Sequence, residues 1–375
     1  MSRALLVLED GTVLEGEAYG AVGTATGELV FTTSMTGYQE VVTDPSYEGQ
    51  VITFTQPMIG NYGVESDVSE SARPHARAVV VREGRNAAPA GREGFSDWLA
   101  GHGVVGIQGL DTRMLTRRLR DGGTLRAAVT SDGSAPEGAL QLVRDEPAMA
   151  GLALAGAVSR PQPEQLPALA AQRAHVVVLD YGVKQSILRI LREAGAQVTV
   201  LPWDVTGEQV LAVGADGVLL GNGPGDPAAL SECAEAIREL IGKLPVFGIC
   251  LGHQLLGRAL GLDTFKLRFG HRGANHPVLE LDSGRVLVTA QNHGFAVRAE
   301  AGGGDLATDF GPARITHVSL YDGTVEGLAL RELPVASMQF HPEASPGPHD
   351  ARAALTGFVE ALARARVQEA TAAPA

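Results

Sequence analysis

The stretch LPVFGICLGHQLL, residues 244–256, places a cysteine between an apolar run and a helical pattern. Residues 244–249 are predicted to form a strand, and a helix is predicted to begin at residue 251. Glycines two positions to either side of Cys250 allow the two backbones to pass closely at a sharp turn. A helix N-terminus also favours a thiolate and offers N–H groups to a developing oxyanion. The stretch therefore predicts a nucleophile elbow, although a cysteine that merely packs is the alternative.

A second apolar run begins a strand–helix–strand series. Residues 174–180 (AHVVVLD) read as a strand, residues 186–194 as a helix and residues 197–201 as another strand. A valine-rich strand of this kind, followed by a helix and a further strand, is typical of a parallel sheet that is covered on both faces. We expect the C-terminal half to be a doubly wound, mostly parallel-sheet α/β domain.

The chain of 375 residues is long enough for two domains. The first half is predicted to be a mixed, β-rich α/β domain, because a hairpin is expected at residues 5–14 and strands at residues 28–32 and 50–55. A proline-rich stretch interrupts the periodic structure between the halves and reads as a linker. The predicted divisions are residues 1–157, a linker at 158–173, residues 174–364 and a frayed tail at 365–375.

A possible base lies near the C-terminus. Residues 335–344 read as a strand that ends in His341-Pro342-Glu343. Residues two apart on an extended segment point to the same side, so His341 and Glu343 can cooperate. The imidazole would take the thiol proton and later pass one to the leaving amine, while the carboxylate would orient the ring. A simple His-Pro turn with a solvated glutamate is the alternative for this tripeptide alone.

A loop rich in glycine and proline follows another short strand. The loop reads NGPGDP, residues 222–227. Its glycines allow close approach to a ligand, and their N–H groups can point into a site. No Gly-Lys-Ser/Thr follows, so the loop is not predicted to bind phosphate.

The elbow, the NGPGDP loop and the His-Pro-Glu end resemble the class I (triad-type) glutamine amidotransferases. The resemblance covers residues 174–364. It implies hydrolysis of the side-chain amide of L-glutamine through a cysteinyl thioester and transfer of the ammonia to a second active site.

The first half of the chain indicates a more specific family. The stretches TSMTGYQE (33–40), TDPSY (43–47), IGNYG (59–63) and LDTRMLTR (110–117) are similar to the small subunits of carbamoyl-phosphate synthetases. That family implies a large-subunit partner, which makes carbamoyl phosphate from ammonia, bicarbonate and ATP for arginine and pyrimidine biosynthesis. The resemblance implies that ATP and a divalent metal belong to the large subunit, with no cofactor or metal in this chain.

The resemblance also implies roles for individual residues. Cys250 matches the nucleophile, His341 the base and Glu343 the orienting carboxylate. The positions that match the family's glutamine-binding residues are Ser46, Gly223, Gly225, Leu251, Gln254, Asn292, Gly294 and Phe295. The N–H groups of Leu251 and Gly225 would serve the oxyanion, and the amides of Gln254 and Asn292 would suit the zwitterionic end of glutamine. Because Ser46 belongs to the first domain, the ligand is expected near a domain interface.

Other residues with reactive side chains have simpler interpretations. His253 lies on the elbow helix and is expected to pack rather than to act as a base. The cluster at residues 270–277 contains two histidines but no zinc-type spacing, so no metal site is predicted there. Cys233 lies in a polar helical stretch and is expected to have no part in the chemistry.

Charge and composition exclude some classes of partner. The net charge of −13 disfavours nucleic acid and anionic membranes, and residues 113–126 are the locally basic exception. No apolar run reaches transmembrane length, and two cysteines give no disulfide framework, so a reducing cytoplasm is expected. Two other functions stay open: the amidotransferase component of a different synthase, which the first half argues against, and a non-catalytic scaffold, which the intact triad argues against.

Overall fold

The computed structural model describes residues 2–89, 91–299 and 305–372 of the chain. The chain divides into two compact units. The first consists of Met1–Leu152 with Arg268–Ala274, and the second of Ala153–Leu267 with Asn275–Ala375. The first break therefore lies close to the predicted end of the first domain, whereas the return of residues 268–274 to the first unit was not predicted.

The first unit is built around a closed barrel. Its strands are β1 (Arg3–Leu8), β2 (Val13–Gly20), β3 (Thr24–Thr32), β4 (Gln50–Phe54), β5 (Met58–Ile59), β6 (Ala78–Val80), β7 (Glu83–Gly84), β8 (Val105–Gln108) and β9 (Leu125–Thr130). Its helices are α1 (Tyr38–Thr43), α2 (Phe95–Gly101), α3 (Thr112–Gly122) and α4 (Pro136–Asp145), with a short 3₁₀ helix at Pro45–Tyr47. The barrel order is β1-β2-β8-β6-β4-β3-β9, and β5 pairs with β7 outside it.

The barrel interior follows from the alternation of side chains along its strands. Leu6 and Leu8 of β1, two residues apart, are fully buried in one apolar cluster together with Leu29 of β3. β1 and β2 pair antiparallel through Val7 and Val13, which matches the hairpin expected from the sequence. This first unit is a strand-rich mixed α/β structure, as predicted.

The second unit contains one long sheet flanked by helices. Its helices are α5 (Ala155–Val158), α6 (Gln185–Glu193), α7 (Gly207–Leu211), α8 (Ser231–Leu240), α9 (Leu251–Ala259) and α10 (Ala353–Ala372). Its strands are β10 (Glu164–Leu166), β11 (Ala174–Asp180), β12 (Ala196–Pro202), β13 (Gly217–Leu220), β14 (Val246–Ile249), β15 (Thr264–Glu280), β16 (Val286–Val297), β17 (Ala313–Ser319), β18 (Val325–Leu330) and β19 (Val335–Met338).

The sheet has a parallel half and an antiparallel half, in the order β10-β12-β11-β13-β14-β19-β18-β17-β15-β16. Strands β12, β11, β13, β14 and β19 run parallel to one another. Val177 and Leu179 of β11 pack into one buried cluster, whereas Val176 and Val178 pack into another. Both faces of the parallel half are therefore covered, as the valine-rich pattern predicts. The antiparallel extension from β18 to β16 was not predicted.

Two expectations about irregular segments were wrong. The predicted linker at residues 158–173 includes β10, which pairs antiparallel with β12 through Leu166 and Val198. The predicted frayed tail at residues 365–375 continues α10 as far as Ala372, and the rest of that prediction lies outside the described residues. Backbone hydrogen bonds stabilise both segments, although neither has the apolar alternation that would predict regular structure.

Among the residues that the structure describes, none of the helices combines the length and the apolar character needed to cross a membrane.

Candidate active site

Cys250 occupies a sharp turn between strand β14 and helix α9. The strand ends at Ile249, the helix begins at Leu251, and Cys250 has φ 54° and ψ −108°. A side chain at Gly248 would lie 2.7 Å from the carbonyl oxygen of Gly252, and one at Gly252 would lie 2.3 Å from that of Leu220. Both glycines are therefore required sterically, and the elbow has the form expected from the sequence.

The thiol of Cys250 is buried beside strand β16. Cys250 is 1% exposed. Its Sγ donates a hydrogen bond to the main-chain oxygen of Asn292 at 3.6 Å, and its N–H donates to the oxygen of Met338 at 2.9 Å. The thiol is thus held next to a residue that was predicted to bind glutamine.

His341 and Glu343 form a buried pair. The Nδ1–H of His341 donates to Oε1 of Glu343 at 2.7 Å, and both side chains are almost fully buried. Because the carboxylate accepts at Nδ1, Nε2 is the ring atom left to exchange a proton with another group. Nε2 has no hydrogen-bond partner among the residues that the structure describes.

Lys184 completes this chain of charges and was not predicted from the sequence. Its Nζ donates to Oε1 of Glu343 at 2.8 Å and to the main-chain oxygen of Ser345 at 2.5 Å. The lysine is 3% exposed. A signal was present, since Lys184 follows the apolar strand β11 at a position where a charged side chain is unusual.

The charges within this cluster shift the pKa values of both partners. Burial alone would lower the pKa of His341, but the carboxylate of Glu343 and the interaction with Cys250 outweigh it and raise that pKa to about 10. Burial alone would raise the pKa of Glu343, but Lys184 and His341 hold it well below its usual range. The arrangement therefore favours a carboxylate at Glu343 and a protonated ring at His341.

The loop after β13 lies against this cluster. A side chain at Gly223 would lie 2.1 Å from the main-chain oxygen of Tyr181, and Gly225 has a φ of 96°. Oδ1 of the fully buried Asn222 accepts the N–H of Lys184 at 3.1 Å. The glycine loop is thus fixed to the segment that carries Lys184.

The structure brings several of the predicted glutamine-binding residues together. Nε2 of Gln254 donates to the main-chain oxygen of Phe295 at 2.7 Å and to Oε1 of Gln339 at 3.0 Å. Both donors of that amide are therefore used, so its oxygen is the atom left to accept from an ammonium group. Leu251 is the first residue of α9, where an N–H has no intrahelical acceptor. Gly294 lies in β16 between Asn292 and Phe295.

Ser46 lies in the first unit, in the 3₁₀ helix Pro45–Tyr47. It is 4% exposed, and its N–H donates to Oδ1 of Asp44 at 2.9 Å. Its contact with glutamine stays a prediction.

The residues that were given simpler interpretations are buried. Nδ1 of His253 shares a hydrogen bond with Oγ of Ser337 at 2.9 Å, and burial together with His317 lowers the pKa of His253 to about 3. The thiol of Cys233 donates to the main-chain oxygen of Trp203 at 3.4 Å, and burial raises its pKa to about 12. A neutral ring and a protonated thiol of this kind are typical of packing residues.

The functional groups come from neighbouring parallel strands. Lys184 follows β11, the glycine loop follows β13, Cys250 follows β14, and His341 follows β19. The carboxyl ends of adjacent parallel strands form the usual crevice for ligands in open α/β sheets. The arrangement can activate a thiol, orient a proton shuttle and offer N–H groups to an oxyanion.

Both halves of the chain match known protein families. The family described as "Carbamoyl-phosphate synthase small chain, CPSase domain" matches residues 6–129, and "Glutamine amidotransferase class-I" matches residues 177–361. A carbamoyl phosphate synthase small chain of Akkermansia muciniphila is 47% identical over 98% of this chain and 100% of that protein. One of Listeria monocytogenes is 46% identical over 96% of this chain and 97% of that protein.

A solved structure is similar over part of the chain. A glutamine amidotransferase of Thermotoga maritima covers 51% of this chain and 96% of its own, with 16% identity and a TM-score of 0.37. The family assignment rests on the small chains, which are 46–47% identical to this chain over nearly its full length. The chain belongs to the family of carbamoyl phosphate synthase small chains and carries a class I glutamine amidotransferase domain.

Proposed function

We propose that this chain is the glutaminase subunit of a carbamoyl-phosphate synthetase. Cys250 attacks the side-chain amide of L-glutamine and forms a thioester, which water then hydrolyses to glutamate. The ammonia passes to a large subunit that binds ATP and a divalent metal and converts bicarbonate to carbamoyl phosphate. The product serves arginine and pyrimidine biosynthesis in the cytoplasm, a reducing compartment in which two free cysteines are expected.

The observation that carries this proposal is the thiol at a strained elbow near a buried imidazole–carboxylate pair. The raised pKa of His341 favours the ion pair in which the proton that Cys250 gives up on activation resides on the ring. As the tetrahedral intermediate collapses, Nε2 passes that proton to the departing ammonia. N–H groups at the start of α9 and in the glycine loop serve the oxyanion.

Glutamine is bound by residues of α9 and β16. The oxygen of the Gln254 amide suits the α-ammonium group of glutamine, because both hydrogens of that amide are already donated. Asn292, Gly294 and Phe295 of β16 contact the rest of the ligand, on the basis of the resemblance in sequence. Ser46 is a predicted glutamine-binding residue on the basis of the resemblance in sequence alone.

The test is glutamine hydrolysis by a Cys250→Ser variant. Wild-type chain mixed with glutamine and quenched in acid should retain a covalent glutamyl adduct, seen as a mass increase on the peptide that contains Cys250. The serine variant should lose both the adduct and the glutaminase activity, while Cys233→Ser, the matched control, should keep them. An adduct on another residue, or a fully active serine variant, would refute the assignment.

A further inference from the structure

A second buried carboxylate lies next to the strand that carries Asn292. Glu326 in β18 is 0% exposed, as buried as any carboxylate of the second unit that the structure describes. A carboxylate in such a place is costly unless other groups compensate its charge and hydrogen-bonding capacity. The groups that contact Glu326 therefore indicate which part of the structure it stabilises.

Glu326 contacts both residues that flank Asn292 on β16. Its Oε2 accepts a hydrogen bond from Nε2 of Gln291 at 2.9 Å, and its Oε1 lies 3.9 Å from Nε2 of His293. Successive side chains along a strand point to opposite faces, so residues 291 and 293 share one face and residue 292 points to the other. The carboxylate thus holds β16 from the face opposite to the Asn292 side chain.

The contacts of Glu326 extend through His293 to the predicted glutamine-binding residues. Nδ1 of His293 donates to the main-chain oxygen of Phe295 at 2.7 Å, the same oxygen that accepts from Gln254 at 2.7 Å. The main-chain oxygen of Asn292 accepts the Cys250 thiol. Rotation of the strand about its axis would therefore move the contacts of the thiol and of Gln254 together.

We propose that Glu326 is a positioning residue that sets the affinity for glutamine by fixing the rotation of residues 291–295. The inference rests on the proposed glutaminase function. Glu326 touches no reacting atom, so its loss should weaken glutamine binding more than it slows the chemical step. The carboxylate's shape and hydrogen bonds matter here, so a glutamine, which can accept from Gln291 and donate to His293, should replace it.

The test compares glutaminase kinetics of the full chain, in complex with its large subunit, for Glu326→Ala and Glu326→Gln. We expect Glu326→Ala to raise KM for glutamine roughly tenfold or more while kcat changes by less than about threefold, and Glu326→Gln to stay within about threefold of wild type in both. Asp216→Ala is the matched control, since that carboxylate accepts the His175 N–H at 2.6 Å at the opposite, amino end of β13. It should lower the melting temperature and leave KM unchanged.

Gln291→Ala removes the hydrogen bond between residues 291 and 326 by changing its donor. It replaces Glu326→Ala as the test variant if that protein does not fold. It should raise KM as well, and combining the two substitutions should add less than about twofold, because both remove one interaction. A wild-type KM in either folded variant, or an equal rise in the Asp216 control, would overturn the inference. Failure of the proposed function would look different, since the wild-type chain would then show no Cys250-dependent hydrolysis.

Discussion

At the scale of single residues, three buried charges in series hold the imidazole beside the thiol. Lys184 contacts Glu343, and Glu343 contacts His341. Charges in such a place attract strongly, but each depends on its partner to offset the loss of hydration. The elbow and the contact between His341 and Glu343 could be predicted from the sequence because both arise from local patterns. The contact between Lys184 and Glu343 could not be predicted, since the two residues are 159 positions apart and only the fold brings them together.

The first prediction distinguishes the proton-transfer role of His341 from the orienting role of Glu343. His341→Asn should lower glutamine turnover by roughly two or more orders of magnitude, because it removes the group that moves the proton. Glu343→Ala should cost less, since the ring remains but is less well oriented and less stabilised. Initial rates at saturating glutamine measure both effects. Small and equal losses would mean that another group acts as the base.

The second prediction concerns Lys184. Lys184→Met should lower the free energy of unfolding by about 3–5 kcal/mol, because it removes one of the two buried cations that compensate the charge of Glu343. The pKa of Glu343 should rise, so the acidic limb of the pH–rate profile should move to higher pH. Lys243→Met, at an exposed position, is the control and should change neither quantity. An unshifted acidic limb in a folded Lys184 variant would show that the lysine does not act through Glu343.

The third prediction is a pH dependence of stability. The pKa of Glu343 is lowered, so its contribution is complete above its usual value near 4.5 and is lost as pH falls through the lowered value. The pKa of His341 is raised, so its contribution is complete below its usual value near 6.5 and is lost as pH rises toward about 10. The stability difference between wild type and Glu343→Gln should therefore be largest between these two usual values. Chemical denaturation across the pH range measures it, and a difference that grows toward pH 10 would contradict the assignment.

At the scale of elements, the elbow was predictable almost to the residue. An apolar run, a pair of glycines and a helical pattern impose the same turn locally. Strand β10 was missed because the sequence EQL has no apolar alternation, and its pairing with β12 supplies what its side chains do not. The continuation of α10 was missed for a related reason, since alanine-rich segments form helices without an amphipathic pattern.

The fourth prediction tests the elbow as an element. Gly252→Ala should push α9 away from β13, because the new side chain would lie 2.3 Å from the main-chain oxygen of Leu220. We expect a large loss of glutaminase activity together with reduced stability. Gly357→Ala in α10 is the control, since nothing lies within 4 Å of that position. It should be neutral or stabilising by up to about 1 kcal/mol. An active Gly252→Ala enzyme would show that the close contact is not needed.

At the scale of the whole molecule, the order of motifs along the chain predicted the family, but not the path of the chain between the units. Residues 268–274 belong to the first unit although the strand that contains them begins and ends in the second. No composition change marks such an excursion. The antiparallel half of the second sheet was also missed, because a strand–helix–strand pattern indicates only the parallel half.

The fifth prediction concerns coupling to the large subunit. Ammonia is useful only if it reaches an acceptor before it is protonated and diluted in water. We expect the isolated chain to hydrolyse glutamine slowly and the large subunit to accelerate it by favouring a competent arrangement of the site. Glutaminase rates at matched concentrations, with and without the large subunit, ATP and bicarbonate, measure this. Rates that are equal in every condition would exclude coupling while leaving the role of Cys250 intact.

The central claim is that Cys250 supplies ammonia to a partner that makes carbamoyl phosphate. The most direct measurement is carbamoyl phosphate formation by the large subunit reconstituted with the Cys250→Ser chain, using either glutamine or ammonium chloride as the nitrogen source. The account predicts that synthesis from glutamine is lost whereas synthesis from ammonia proceeds near the wild-type rate. Synthesis from glutamine that survives the substitution would contradict it.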